Sequence, residues 1–352
     1  MAINYNDEVK MKTIVLCGGG TAGHIYPALA VAEKLKNYKI HFFGGNGMEK
    51  DILKKHPEIT YHEIPTVKFE RKLTLKNLLI PLKLFHSISL AKKELKKINP
   101  DIIFSKGGYV SVPVVFAAKK LKKPIISHES DLSLGLANKL ILRKCNIMCT
   151  TFAETESKNP KCIHTGQPIR EKIYHGKRQN FFQNDKPTIL VLGGSLGAQF
   201  LNNIIFHNLE KLTKDYNIIH ICGKKNYKEI KHTSYKLIDY AENIEDLYAS
   251  SDMAIARSGS GVINELLSLS IPMLLIPLSK KCSRGDQIEN AKNFVKNGYA
   301  QMLEEEEYSF NVLKKKIDYI AKNREKYKQK MQKTAKNHAT ETIFHLIEKL
   351  SN

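Results

Sequence analysis

An α/β chain built as two Rossmann-like domains, each a doubly wound parallel sheet and the two facing a central cleft, is the architecture this sequence predicts. Three observations carry that expectation. Short apolar strands alternate with helical periods over most of the chain, the order that parallel sheets with crossover helices require. Two of the strands run into glycine-rich turns that open helices: Lys12-Thr-Ile-Val-Leu-Cys17 into Gly18-Gly-Gly-Thr-Ala-Gly23, and Pro187-Thr-Ile-Leu-Val-Leu192 into Gly193-Gly-Ser-Leu-Gly197. A strand, a glycine loop and a helix N-terminus together present backbone N–H groups to phosphate. The two turns lie about 175 residues apart in a chain of 352, so each half carries the device once. That length suits two domains with a core each.

The first half yields strands at residues 13–17, 40–44, 60–64, 101–105, 124–127 and 147–150, with helical periods at 25–36, 75–97 and 110–121. The pattern weakens after Thr165-Gly-Gln-Pro168, where Gly and Pro punctuate the chain and the boundary is placed near Gly166. It restarts with strands at 188–192, 218–222, 235–238, 253–256, 272–276 and 300–303. The expected domains are therefore 1–166 and 167–334. The tail from Ser309 is helical and Lys-rich and carries no chemistry.

Composition bounds the function classes. Hydrophobic residues make up 42% and charged residues 26%, ordinary for a globular protein. The six cysteines are scattered without a C-x-x-C pair, which reads as reduced thiols and neither a disulfide framework nor a zinc site. No apolar run approaches the roughly 18 residues of a membrane span, and the start MAINYNDEVK lacks the apolar stretch of a secretory signal. A net charge of +21 favours anionic partners, although a Lys-rich solvated surface accounts for it equally well. Its distribution says more. Residues 71–97 hold Arg71, Lys72, Lys76, Lys83, Lys92, Lys93, Lys96 and Lys97 against the single acid Glu94, interleaved with Leu73, Leu75, Leu78, Leu79, Ile80, Leu82, Leu84 and Phe85. Apolar residues exceed one core-facing stripe, as in helices that lie on an anionic membrane surface; the competing reading is a core helix with a basic outer face.

Gly18-x-Gly20-x-x-Gly23 matches the dinucleotide fingerprint, but the next strand ends His41-Phe-Phe-Gly-Gly-Asn-Gly47 without the acid that would hold ribose. A P-loop is excluded because neither glycine loop leads to Gly-Lys-Ser/Thr. His24 opens a helix, where the dipole favours neutral imidazole, the form a general base needs; the alternative is a histidine that only caps the turn. Lys106-Gly-Gly-Tyr-Val-Ser-Val-Pro113 and His128-Glu-Ser-Asp131 follow strands of the same sheet and so open on the same edge. In the second half, Arg257-Ser-Gly-Ser-Gly261 opens a helix able to take a phosphate, with Glu265 one turn on to meet ribose hydroxyls or simply to be solvated. Asp286-Gln287 opens another helix toward the cleft. No protein-bound metal is expected.

Taken in order, Gly18-Gly-Gly-Thr-Ala-Gly-His24, Gly107-Gly-Tyr-Val-Ser-Val-Pro113, His128-Glu129, Gly193-Gly-Ser-Leu-Gly-Ala198, Arg257-Ser-Gly259 and Gln287 with Asn290-Ala291 resemble the MurG family of peptidoglycan N-acetylglucosaminyltransferases, over residues 12–300. The resemblance implies a GT-B fold, with UDP-N-acetylglucosamine held mainly by the second domain and lipid I by the first. It also implies a tail, about 335–352, that returns to the first domain, and a peripheral position on the cytoplasmic face of the membrane. It makes His24 the catalytic base. Thr21, Ala22, Gly23, Asp131, Arg170, Ser195, Ala241, Ser260, Gly261, Val262, Ile263, Asn264, Glu265 and Gln287 fall to the donor. Gly107, Gly108, Tyr109, Ser111, His128 and Glu129 fall to the acceptor. The chain departs from the family at Ala22 and Val112, where Gly is usual, at Leu196 for Gln, and at Asp131 for an amide. A carboxylate beside a diphosphate is unfavourable, so Asp131→Asn is expected to lower the donor KM unless Asp131 pairs with a lysine such as Lys139. The alternatives are another GT-B UDP-sugar transferase with a different lipid or small-molecule acceptor, and a basic nucleic-acid-binding module. The second lacks interleaved aromatic stacking residues and has no Trp.

Overall fold

The computed structural model describes residues 11–66, 80–194, 197–281, 283–334 and 338–352. In the first domain β1 (Lys12–Cys17), α1 (Ala22–Ala32), β2 (Tyr38–Gly44), α2 (Met48–Leu53), β3 (Thr60–Glu63), α3 (Ile80–Ile98), β4 (Ile102–Ser105), α4 (Ser111–Lys120), β5 (Ile125–Glu129), α5 (Leu136–Leu142), β6 (Ile147–Thr150) and β7 (Cys162–His164) follow in order. The second contains β8 (Thr188–Leu192), α6 (Gln199–His207), α7 (Leu209–Leu212), β9 (Asn217–Ile221), β10 (Tyr235–Ile238), α8 (Ile244–Ala249), β11 (Met253–Ala256), α9 (Ser260–Ser268), β12 (Met273–Leu275), α10 (Asp286–Lys296) and β13 (Ala300–Met302). Then come α11 (Phe310–Lys322), α12 (Arg324–Gln332) and α13 (Ala339–Ser351).

The sheets have seven strands in the order β3-β2-β1-β4-β5-β6-β7 and six in the order β10-β9-β8-β11-β12-β13. Every pairing within them is parallel. Both faces of a parallel sheet are covered, so alternate residues of one strand enter different cores. Ile14 and Leu16 pack with Phe42 and Phe104 on one face, Val15 and Cys17 with Phe43 and Ile103 on the other. In the second domain Ile189 and Val191 part from Leu190 and Leu192 in the same way.

Twelve of the strands fall where the sequence places them, within a few residues at their ends. β7 was not anticipated: three residues at a sheet edge give no period to read, and only their pairing with Met148, Cys149 and Thr150 defines the strand. β5 runs two residues past the expected 124–127, to Glu129, with consequences for the site.

α13 lies on the first domain although it follows the second. Ile343 and Ile347 are fully buried in the core of Ile14 and Leu16. Tyr38 Oη donates to Glu348 and meets Ser351 Oγ at 2.9 Å. α3 buries Ser87, Ile88, Ala91 and Leu95, while Leu82 and Phe85 remain 69% and 67% exposed. The basic and apolar residues named at 71–79 lie outside the described residues. Among those described, no helix is long and apolar enough to cross a membrane.

Candidate functional site

Strand order reverses between β1 and its neighbours β2 and β4, so the loops leaving β1 and β4 diverge and open a crevice at the strands' carboxyl ends. Gly107 and Gly108, after β4, take φ of 82° and 78°. A Cβ on Gly108 would come within 3.3 Å of His24 Cδ2 and Nε2. Glycine there lets the second loop lie against the His24 ring. The crevice, joined by the strand ends of the second domain, encloses a cavity of about 500 Å³. A second cavity, of about 610 Å³, borders Thr188 and Asn217 at the opposite, amino-terminal ends of β8 and β9, away from every glycine loop.

His24, on the first turn of α1, lines the first cavity. Its Nδ1 lies 3.2 Å from the Lys106 carbonyl oxygen. A carbonyl only accepts, so this bond places the proton on Nδ1 and the lone pair on Nε2. Burial, and next the Lys106 ammonium, lower the His24 pKa to about 4. The ring is a neutral base at neutral pH.

Lys106 was not singled out by the sequence. Its side chain is fully buried and donates to His128 Nδ1 at 2.8 Å and to Ser130 Oγ. Burial lowers its pKa to about 8. A lysine inside a glycine-loop motif looks like loop polarity, and only the fold turns it inward.

Three residues that the resemblance assigns to the acceptor lie off the cavity. Because β5 extends through Glu129, His128 and Glu129 are strand residues and both are buried. His128 Nε2 meets the Gly166 carbonyl at 2.9 Å. The Glu129 carboxylate accepts from the backbone N–H of Asp131 (3.0 Å) and Gly135 (2.9 Å) and from Asn138 Nδ2 (2.9 Å). The Ser111 hydroxyl, fully buried, donates to the Cys17 and Gly107 carbonyls. These groups shape the loops and do not border the cavity. Gly107, Gly108 and Tyr109 are likewise absent from its lining.

The donor assignments divide. Thr21, Ala22, Gly23, Asp131, Arg170, Ala241, Ser260, Gly261, Val262, Glu265 and Gln287 all line the cavity. Ile263 does not: it is fully buried in the core under α9. Asn264 bonds back to the Ser260 carbonyl at 2.8 Å, also away from the lining. Ser195 lies outside the described residues. Arg257 is structural, with Nη1 donating to the Ile276 and Pro277 carbonyls at 3.0 Å each.

Around these, Tyr248 Oη donates to Glu265 Oε2 at 2.7 Å, and burial raises the Glu265 pKa. The Arg170 guanidinium stacks 4.1 Å from the centre of the Tyr26 ring, and its buried Nε has no partner in the protein. Tyr26 and Tyr240 meet across the cavity at 3.4 Å between hydroxyls.

Asp131 lines the cavity and pairs with Arg284 and Asn290, not with Lys139. Its Oδ2 lies 3.0 Å from Arg284 Nη2 and its Oδ1 accepts from Asn290 Nδ2 at 3.0 Å. The loop after β5 is thereby fastened to the second domain, helped by Asn290 Oδ1 on the Leu132 N–H (3.0 Å) and by the Ser260 hydroxyl on the Ser130 carbonyl.

Two Rossmann-like domains, with parallel sheets of seven and six strands that open on one cleft, are the architecture of a GT-B glycosyltransferase. The glycosyltransferase family 28 N-terminal domain matches residues 14–150 and the family 28 C-terminal domain residues 188–346. The chain belongs to glycosyltransferase family 28. A Clostridium tetani protein named UDP-N-acetylglucosamine–N-acetylmuramyl-(pentapeptide) pyrophosphoryl-undecaprenol N-acetylglucosamine transferase is 46% identical over 96% of this chain and 98% of its own. A Clostridium botulinum protein of the same name is 44% identical over 96% and 99%. The crystal structure of Acinetobacter baumannii MurG superposes with a TM-score of 0.75 at 26% identity, covering 96% of this chain and 99% of that one. The kitacinnamycin glycosyltransferase reaches the same TM-score, 0.75, at 12% identity, a likeness of fold alone.

Proposed function

We infer that the chain transfers N-acetylglucosamine from UDP-N-acetylglucosamine to the undecaprenyl-pyrophosphoryl-N-acetylmuramyl-pentapeptide lipid I, giving lipid II, the reaction for which its relatives are named. The observation that carries the reading is the His24 Nε2 lone pair, held on the wall of the cavity that α9 and Glu265 close from the other domain.

His24 takes the proton of the muramyl C4 hydroxyl as its oxygen attacks the anomeric carbon. The bond from that carbon to UDP breaks on the opposite face, so configuration inverts and the electron pair leaves with UDP. The α9 N-terminus and Arg170 meet the growing phosphate charge. Glu265 accepts from ribose hydroxyls, the Ala241 backbone meets the uracil, Gln287 meets the sugar, and Ser195 stays assigned to the donor. Thr21, Ala22 and Gly23 meet pyrophosphate. The first domain takes the acceptor and the second the donor. No protein-bound metal has a part in these steps.

The reading also places the protein peripherally on the cytoplasmic membrane face, with α3 on anionic lipid; the exposed Leu82 and Phe85 beside Lys83 support it. Nucleic acid is not a partner.

The test is transfer to a short-chain lipid I analogue from a panel of UDP-sugars, with and without EDTA. UDP-N-acetylglucosamine alone should give product, in EDTA as well. Transfer from another UDP-sugar, or to a different acceptor only, would favour the alternative GT-B transferase. Stabilisation by heparin or DNA but not by UDP would favour the nucleic-acid module.

A further inference from the structure

Beneath the cavity, one buried ammonium is bonded to the end of β5 and, through it, to the segment between the domains. Lys106 Nζ donates to His128 Nδ1 (2.8 Å) and Ser130 Oγ, at the end of β5. His128 Nε2 donates onward to the Gly166 carbonyl (2.9 Å), and Ser130 Oγ to Gln167 Oε1 (3.2 Å), in the segment between the domains. The backbone carbonyl of the same lysine holds His24 Nδ1 (3.2 Å). Ser130 in turn receives the Ser260 hydroxyl of α9 on its own carbonyl. One residue thus touches the proposed base through its main chain and fixes the loops around that base through its side chain.

We propose that Lys106 is the positioning residue of the catalytic histidine: its carbonyl fixes the Nδ1–H tautomer of His24 and so leaves Nε2 free, and its buried charge opposes a second proton on that ring.

The inference rests on the reading of His24 as the base. A full accounting of the charges around His24 supports it. Burial is the largest cause that keeps a proton off the ring, and Lys106, after β4, comes next in disfavouring a second positive charge. Arg284, before α10, acts in the same direction, whereas Asp131, after β5, opposes both. Arg284 and Asp131 are bonded to each other, so their effects on the ring partly cancel. His128 is itself held well below its ordinary pKa by burial and Lys106, so it brings no charge of its own. Glu129 and Asp131 raise the Lys106 pKa against burial, which keeps the ammonium charged at neutral pH. Lysine suits the position because its head group can donate to both an imidazole and a hydroxyl while its charge stays where water does not screen it.

The test is NMR of the imidazoles in the full-length protein, with the His24 signals assigned by Lys- and His-specific labelling and a H24Q control. In the wild type at pH 6 the His24 nitrogens should report a neutral Nδ1–H ring. A charged ring or an Nε2–H tautomer overturns the proposal without any variant. Lys106→Gln keeps a donor for His128 and removes the charge; Lys106→Arg keeps the charge. The His24 titration should rise by about one pH unit or more in K106Q, a shift of the size that one nearby charge produces, and the acid limb of kcat/KM should rise with it. K106R should retain the wild-type titration. An unchanged His24 titration in a folded K106Q protein, with activity lowered equally at all pH, would reduce Lys106 to a structural strut and overturn the proposal. The titration needs no acceptor or donor, so it is read independently of the transferase assay: no transfer by the wild type would refute the enzyme reading and leave the Lys106–His24 coupling to stand or fall on its own.

Discussion

Glu265 and Asp131 are two carboxylates in one cavity with different work to do. Glu265 is held by Tyr248 and desolvated, so its truncation to Ala should cost donor binding about 1–3 kcal/mol, the price of unpaired ribose hydroxyls, read as the Kd for UDP-N-acetylglucosamine; an unchanged Kd would leave the acid without a ligand. Asp131 is committed to Arg284 and Asn290. Asp131→Asn should therefore weaken a partly exposed ion pair and lower stability by about 1 kcal/mol or less in urea unfolding, with no improvement in donor KM. An improved KM would return to the repulsion the sequence suggested. His24 gives a pH dependence with a definite sign. Unfolded, it takes a proton near its ordinary 6.5; folded, only near about 4. Between these the unfolded state binds more protons, so the contribution of His24 to stability is complete above about pH 6.5 and declines as pH falls toward 4. Urea midpoints of wild type and H24Q should converge or cross on acidification. The sequence made His24 and Glu265 legible because their positions follow from where a strand ends and a helix starts. It could not show that Asp131 meets a residue 153 positions away, nor that Lys106 turns inward, because both depend on which loops the fold brings together.

At the scale of elements, α3 and α13 carry separate expectations. If residues 71–97 dock on lipid, vesicle binding should require anionic lipid and fall as salt rises. K72Q/K76Q/K83Q should weaken it by about 1 kcal/mol per charge near the surface; equal sedimentation with neutral and anionic vesicles would leave only apolar contacts. For α13, Ile343→Ala and Ile347→Ala should each cost about 2–5 kcal/mol, because both side chains are fully buried against β1 and its neighbours. Loss of under about 1 kcal/mol in both would mean the helix is not part of that core. The long apolar strands were readable because burial on both faces leaves uninterrupted Val, Ile and Leu. The end of β5 was not: His128 and Glu129 look like a polar loop, and only the register with Cys149 and Thr150 shows them to be paired strand residues.

Across the whole molecule, the site exists because the two sheets bring their carboxyl ends to one cleft and the loop after β5 bridges it. Ser130, Asp131 and Leu132 each bond to the second domain, so the wall bearing His24 and the wall bearing Glu265 are held in register. On the proposed function that arrangement places the chemistry on His24 and nucleotide binding on the second domain. The direct measurement is His24→Ala, with kcat for transfer to a lipid I analogue and the UDP Kd determined on the same preparation. Turnover should fall roughly 100- to 10,000-fold, the range for loss of a general base, while the UDP Kd stays at its wild-type value. Near-wild-type turnover, or a loss of activity matched by an equal loss of UDP binding, would mean that His24 is not the base.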